Sequence, residues 1–285
     1  MSGKISFQGV LGAYSHLACR AAAPDFEPLP CTDFESTIAA VHEGRAARAM
    51  VPIDNSIAGR VADIHHLLPK SGLYIVAEHF QPIEHFLLGV KGAQLSDIRT
   101  VTSHIHALPQ CRNILAKNKW EKFVSSDTAV AASLVAEKKD KTLAAIASSL
   151  AAELYGLEIL AANIADKGRN TTRFVILSPQ KETPVLGAAA MTSLVFHVRS
   201  VPAALYNALG GFAKNGINLT KLESYSDGTD FSDAAFYAEI EGHPESPAFQ
   251  AALKALEDYA HAIDLLGTYP AHPFRMAKGT GAVLD

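Results

Sequence analysis

The feature that most constrains this chain is a polar, proline-bracketed stretch, Ser178-Pro179-Gln180-Lys181-Glu182-Thr183-Pro184, with different apolar patterns on its two sides. No apolar residue stands between its prolines, so no helix or strand is expected to run through it. A length of 285 residues suits two domains divided there. Before the link, short apolar runs alternate with helical patterns, which reads as α/β. Strands are expected at Ile5–Phe7, at Ala49–Ile53 and at 73–80, 99–103, 142–147, 157–161 and 172–177. A helix is expected from about Ser15 to Ala23. Thr32 and Glu35 have capping-box spacing before a second helix, which Gly44 ends. Asp127 is placed to cap a helix through Ala129–Glu137, and Ser148 or Ser149 another that Gly156 closes.

Beyond the link the order becomes β-α-β-β-α-β, a ferredoxin-like split βαβ. Leu194, Phe196 and Val198 alternate as one face of a strand, and Pro202 is expected to open a helix that Asn215-Gly216 ends. Strands Ile217–Ser224 and Ala234–Gly242 follow, then a helix from Pro247 to His261 and a strand Ile263–Tyr269. The tail, 276–285, has little to bury and is expected to fray.

Composition enters by exclusion. A net charge of −4 with no long Lys/Arg run speaks against nucleic acid or an acidic membrane as partner. The first residues lead into a strand without a signal-peptide pattern, and no apolar stretch is long enough to span a bilayer. A cytoplasmic protein is therefore expected. Cys19, Cys31 and Cys111 share no metal-ligand spacing and read as reduced, buried thiols.

Four polar clusters interrupt the apolar pattern at turns or helix starts. Gly9–Ser15 is either a tight turn or an anion-binding helix entry. Val51–Gly59 ends an apolar strand in Asp54-Asn55-Ser56, as caps or as ligand groups. In Ser103–Cys111, His104 and His106 are two apart and make a poor metal pair, so no metal is expected. Asp166–Phe174 places Lys167, Arg169 and Arg173 beside a strand.

Taken together, these clusters resemble prephenate dehydratase. The resemblance rests on Val51-Pro52-Ile53-Asp54-Asn55-Ser56 with Gly59, on Ser103…Gln110-Cys111, on Ser126-Asp127-Thr128-Ala129, and above all on Asn170-x-Thr172-Arg173-Phe174. Gly216–Ser224 and Glu241-Gly242-His243 resemble the family's ACT regulatory domain. The resemblance implies a catalytic domain over 1–180, two-lobed like a type II periplasmic binding protein, followed by an ACT domain over 190–270. Its lobes would be 1–77 with 158–180, and 78–157.

The resemblance further implies loss of water and carbon dioxide from prephenate to give phenylpyruvate, with no cofactor. Thr172, Arg173, Phe174, Asn55, Ser103 and Gln110 are its catalytic candidates. Ser15, Ser56, Thr128 and Asn170 are the candidates for substrate binding, with backbone N–H groups near Ser56 and Thr128 offered to the substrate's anionic ends. Thr172, a feeble acid, is read as a hydrogen-bond donor to the leaving hydroxyl. Phenylalanine is the implied effector, held by Ala203, Ala204, Leu205, Asn218, Leu219, Glu223 and Ser224 between the ACT domains of a homodimer or homotetramer. Ala203-Ala204-Leu205 and Glu223-Ser224-Tyr225-Ser226 depart from the family's Gly-Ala-Leu and Glu-Ser-Arg-Pro, which alters that wiring. Arogenate dehydratase and a non-catalytic sensor of the same fold are the alternatives.

Overall fold

The structure, a computed structural model, describes residues 3–198, 201–226 and 234–275. The first stretch of chain forms β1 (Lys4–Gln8), α1 (Tyr14–Ala22), β2 (Glu27–Cys31), α2 (Phe34–His42), β3 (Arg48–Asn55), β4 (Gly59–Arg60), α3 (Ala62–Leu67) and β5 (Tyr74–Pro82). Next come β6 (Phe86–Gly89), β7 (Thr100–His104), α4 (Arg112–Asn118), β8 (Glu121–Ser125), α5 (Thr128–Lys138), β9 (Leu143–Ala147), α6 (Ser149–Tyr155), β10 (Glu158–Ala161) and β11 (Thr171–Ser178). The last part holds β12 (Ala190–Val198), α7 (Ala204–Lys214), β13 (Leu219–Ser226), β14 (Ala234–Glu241), α8 (Pro247–Glu257) and β15 (Ala260–Pro270).

Three sheets result, with strand orders β2-β1-β3-β11-β5, β10-β6-β9-β7-β8 and β13-β14-β12-β15. The chain divides into two compact units. The first holds the residues up to Val61 together with His79–Phe174, and the second holds Ala62–Glu78 together with everything from Val175 onward. The chain passes between them just before α3 and again inside β5 and β11. The expected frayed tail, 276–285, lies outside the described residues.

In the first unit, β1 pairs in parallel with β2 and β3, and β9, Leu143–Ala147, is buried at every residue. Such a strand carries no alternation, because both its faces are covered. Small side chains on α5 and α6, among them Ala129, Ala132, Ala151 and Ala152, let those helices lie close to Ala145 and Ala147. The expected caps form: Asp127 accepts the Ala129 N–H at 2.7 Å, and Ser148 accepts that of Ala151 at 3.1 Å. Gly156 closes α6 with φ 64°.

Other expectations are corrected. The α2 capping box is one residue later than Thr32/Glu35. Asp33 is extended and takes the Ser36 N–H at 2.7 Å, while the Ser36 hydroxyl takes the Asp33 N–H at 3.2 Å. β2, which contains Pro28 and Pro30, was not among the expected strands. It lies at the edge of its sheet, where a proline facing outward removes no ladder bond. The short elements α3, β6, α4 and β8 also carried no decisive pattern.

In the second unit, β12–β15 form an antiparallel sheet with α7 and α8 inserted in the ferredoxin-like order expected. Leu194, Phe196, Phe212, Phe236, Phe249 and Leu256 form its core. Here α7 begins at Ala204, not Pro202, because Ala203 has φ 61° and ends any continuous helical turn. β13 begins at Leu219, since the Ile217 N–H is used to cap α7 through the Phe212 carbonyl. α8 stops at Glu257 rather than His261, because residues from Ala260 onward pair with β12. Among the described residues no helix is long and apolar enough to cross a membrane.

Candidate active site

A chain of neutral hydrogen bonds in the first unit begins where β3 ends. The Asn55 Oδ1 accepts backbone N–H groups from Ile57 at 2.9 Å and Ala58 at 2.8 Å, an Asx turn. Backbone donors thus decide which way the carboxamide faces. Its Nδ2 donates to Asn170 Oδ1 at 2.7 Å and to Thr172 Oγ1 at 2.9 Å. The turn is zipped to β11 by Ser56 N–H to Thr171 O at 2.9 Å and Thr171 N–H to Ser56 Oγ at 3.0 Å. The Ser56 N–H, expected from the sequence to face a substrate anion, is therefore spent on Thr171.

The chain continues from Asn170, which is buried. Its Nδ2 donates to Gln110 Oε1 at 2.8 Å, and Gln110 Nε2 donates to the His106 carbonyl at 2.8 Å. Buried His85 places Nε2 at 3.2 Å from the same Gln110 oxygen and Nδ1 at 2.8 Å from the Tyr14 hydroxyl. The Glu84 carbonyl, 2.6 Å away, is a second acceptor for that hydroxyl. Burial lowers the His85 pKa, partly offset by its bond to Gln110, and raises that of Tyr14 well above the ordinary phenol.

Counting protons gives the chemistry. Asn55 can only donate to Thr172, so the Thr172 oxygen accepts there and its own hydrogen points to another acceptor. The arrangement holds one half-buried hydroxyl ready to donate. Beside Gln110 lies a cavity of about 290 Å³, walled by Ile57, Ala58 and Pro109 and bordered by Arg112, Asp166 and Lys167.

Ser103 is fully buried and donates to the Ile146 carbonyl at 2.6 Å, tying β7 to β9. Phe174 is buried in β11. Arg173 is also buried, with its guanidinium 6.0 Å from the centre of the Phe80 ring. Thr128 is the buried first residue of α5, and Ser15 is the half-buried second residue of α1. Within the Gly9–Ser15 turn, Gly12 is held through both its backbone groups. The Gly12 N–H donates to His16 Nδ1 at 3.0 Å, and the Gly12 carbonyl accepts from Ser148 at 2.6 Å. Gly12 is needed here: its φ is 92°, and a Cβ would lie 3.2 Å from Ala151.

In the second unit, Ala203 precedes α7 and Ala204 and Leu205 begin it, while Asn218, Leu219, Glu223 and Ser224 lead into and along β13. The Asn218 carbonyl accepts the Glu241 N–H at 2.9 Å, and Glu223 pairs with Lys221 at 3.4 Å.

Sequence reasoning missed Tyr14 and His85. Tyr14 stood within a glycine-rich turn that drew attention to its backbone, and His85 stands between strands where no periodicity marks it.

Residues 5–182 match the family model for prephenate dehydratase. A protein named bifunctional N-acyl-homoserine lactone acylase/prephenate dehydratase, from Komagataeibacter europaeus, is 51% identical over 272 residues, 95% of this chain and 97% of that one. The chloroplastic arogenate dehydratase/prephenate dehydratase 1 of Arabidopsis thaliana is 39% identical over 281 residues, covering 94% of this chain and 72% of its own. The crystal structure of prephenate dehydratase in complex with L-Phe from Arthrobacter aurescens superposes with a TM-score of 0.87 at 30% identity, covering 99% of this chain and 93% of that one.

Proposed function

The chain belongs to the prephenate dehydratase family, whose members are carbon–oxygen lyases, and from that premise we propose that it converts prephenate to phenylpyruvate, water and carbon dioxide. In that reaction the bond from the ring to its carboxylate breaks to release carbon dioxide, its electron pair enters the ring, and the 4-hydroxyl takes up one proton and leaves as water. Aromatisation drives it, so the protein has to hold two carboxylates and ease the departure of one oxygen. The observation that carries the reading is the direction of the Asn55–Thr172 bond, which obliges Thr172 to donate elsewhere. A fixed donor aimed at a developing negative charge is worth about 10²–10³ in rate. Asn55, Asn170 and Gln110 hold that donor, and Arg173, the family's cation at this position, is the proposed partner of a substrate carboxylate. No metal or organic cofactor is required by this chemistry.

The proposed regulation belongs to the second unit. Its β12–β15 sheet is read as an ACT domain that binds phenylalanine near Ala203–Leu205 and Asn218–Leu219, in a cytoplasmic homodimer or homotetramer. Support comes from the Arthrobacter aurescens relative, which was crystallised with L-Phe.

The deciding experiment measures phenylpyruvate formed from prephenate, and phenylalanine formed from arogenate, with and without added phenylalanine. Turnover of prephenate is the expected result, and absence of turnover on both compounds would sink the reading. The same preparation should be tested on an N-acyl-homoserine lactone, because the Komagataeibacter relative carries both activities in its name.

A further inference from the structure

His85 belongs to no motif that suggested the function, yet it closes the far end of the chain that holds Thr172. Its two ring nitrogens face two different groups, Gln110 Oε1 at 3.2 Å and the Tyr14 hydroxyl at 2.8 Å. Between His85 and Thr172, the carboxamides of Gln110 and Asn55 have their orientation decided by backbone, and that of Asn170 by these two. Gln110 Nε2 is committed to the His106 carbonyl, which turns Oε1 toward both His85 and Asn170. At the other end, Asn55 Oδ1 is committed to two backbone N–H groups.

An acceptor-only oxygen at Gln110 requires a donor on His85 Nε2. In the opposite tautomer the Nε2 lone pair would face the Gln110 oxygen. Relief would need Gln110 to flip, which would then oppose its NH₂ group to that of Asn170 and break its bond to His106. The flip could not pass on through Asn170 without opposing Asn55, which its turn holds in place. The Nε2–H tautomer of His85 is thus the one that leaves Gln110 and Asn170 unstrained behind the Asn55 group that holds the Thr172 oxygen.

We propose that His85 is a positioning residue for the Thr172 hydroxyl, held in its Nε2–H form by the Gln110 oxygen, while the single hydrogen of the Tyr14 hydroxyl is shared between Nδ1 and the Glu84 carbonyl. This rests on the reading of Thr172 as the donor to the leaving oxygen. Tyr14 has a second acceptor, the Glu84 carbonyl at 2.6 Å. When Tyr14 turns to that carbonyl, Nδ1 loses its donor and the selection of tautomer weakens. Removing the hydroxyl makes that loss permanent. His85 and Tyr14 touch no reacting atom in this scheme. They decide how firmly the carboxamides stand, as the partners behind metal ligands do, where such orienting groups are worth about 10- to 100-fold in activity.

The test combines a spectrum with kinetics. In ¹⁵N-labelled wild-type protein at mildly alkaline pH, the His85 ring should show a protonated Nε2 and a bare Nδ1, its signals assigned by their loss in His85→Gln. Tyr14→Phe should leave the Nε2–H form in the majority and raise the minor share of the Nδ1–H form. In turnover of prephenate, His85→Leu should lower kcat about tenfold or more with KM changed far less. His85→Gln, whose amide N–H takes the place of Nε2–H, should keep kcat within about threefold of wild type.

A wild-type Nδ1–H tautomer overturns the inference. So does full activity in His85→Leu, or a loss in His85→Gln as large as in His85→Leu. If His85→Leu does not fold, the wild-type spectrum and the Tyr14→Phe and His85→Gln variants still decide. The tautomer is read without substrate, so failure to turn over prephenate sinks the proposed reaction and is distinct from a spectrum that sinks the role of His85.

Discussion

The two units each hold a polar network, and the networks are built on opposite principles. In the first unit, Tyr14, His85, Gln110, Asn170, Asn55 and Thr172 are joined by hydrogen bonds without a carboxylate or an ammonium among them. In the second unit, Arg275 bridges two buried carboxylates. It reaches Glu78 at 2.8 and 2.9 Å and Glu239 at 2.8 Å. The Tyr237 hydroxyl donates to Glu239 at 2.8 Å, and the His272 N–H to Glu78 at 3.1 Å. Amides are directional and uncharged, so they can aim a hydroxyl without adding a field of their own. Charges are strong but less particular about angle, and they suit a clamp between segments as distant in sequence as Glu78 and Arg275, 197 residues apart. One network sets a direction. The other sets a position.

The largest effect expected from breaking this contrast is on the clamp. Arg275→Met takes the cation from between two buried carboxylates and should cost about 3–5 kcal/mol of stability. Adding Glu78→Gln should recover part of it, and calorimetry on both variants measures this. A loss under about 1 kcal/mol would reduce the clamp to an ordinary surface pair.

The amide network should respond in rate rather than in stability. Thr172→Ala is expected to cut kcat on prephenate about 10²-fold while the melting temperature hardly moves. Thr172→Ser keeps the hydroxyl and should retain most of the rate. A folded Thr172→Ala enzyme with near-normal turnover removes Thr172 from the chemistry.

High pH should separate the units. All three cysteines lie in the first, and burial pushes the Cys19 and Cys111 thiols up to about 12. The folded pKa lies above the unfolded one, so this stabilisation is complete below about pH 8.5 and is lost as pH rises toward the folded value. Each thiol should remove on the order of 1.4 kcal/mol per pH unit within that window. Urea midpoints at pH 8 and pH 10 test it, and Cys19→Ala should flatten the slope. An equal slope in wild type and variant would show that the thiols are not responsible.

The smallest effect concerns Ala203, whose φ of 61° puts an L-residue in the left-handed region at the start of α7. Ala203→Gly relieves that strain and frees the unfolded chain, two opposing effects whose net should be a gain of about 1 kcal/mol or less. It should also tighten inhibition by phenylalanine, if the effector approaches this helix start. Destabilisation by the glycine, with no change in the phenylalanine titration, would contradict both expectations.

Local order was readable where a single residue decides it. Asp127 and Ser148 cap helices because an oxygen close to the backbone finds N–H groups two or three residues on. Alternation at Leu194, Phe196 and Val198 announced a strand with one face on a helical layer. β2 escaped because its prolines are harmful only in a strand with neighbours on both sides, and an edge position is a property of the assembled sheet. α8 was overextended because its apolar spacing runs on past Glu257, where pairing with β12 takes the chain instead.

The candidate site divides along the same line. Asn55, Gln110, Asn170 and Thr172 were named from their motifs, and the fold joins these four by hydrogen bonds. Ser103 was named with them, and its hydroxyl serves the Ile146 carbonyl. By itself, the sequence determined the residue types, the short-range caps and turns, and the family to which those motifs belong. Only the tertiary structure decided who bonds to whom. Asn55 and Thr172 are 117 residues apart, and His85 and Gln110 are 25 apart. A carboxamide has a donor end and an acceptor end, and which end faces which neighbour depends on backbone groups that meet only after the sheets have formed. The direction of the Thr172 hydroxyl is therefore a property of the fold.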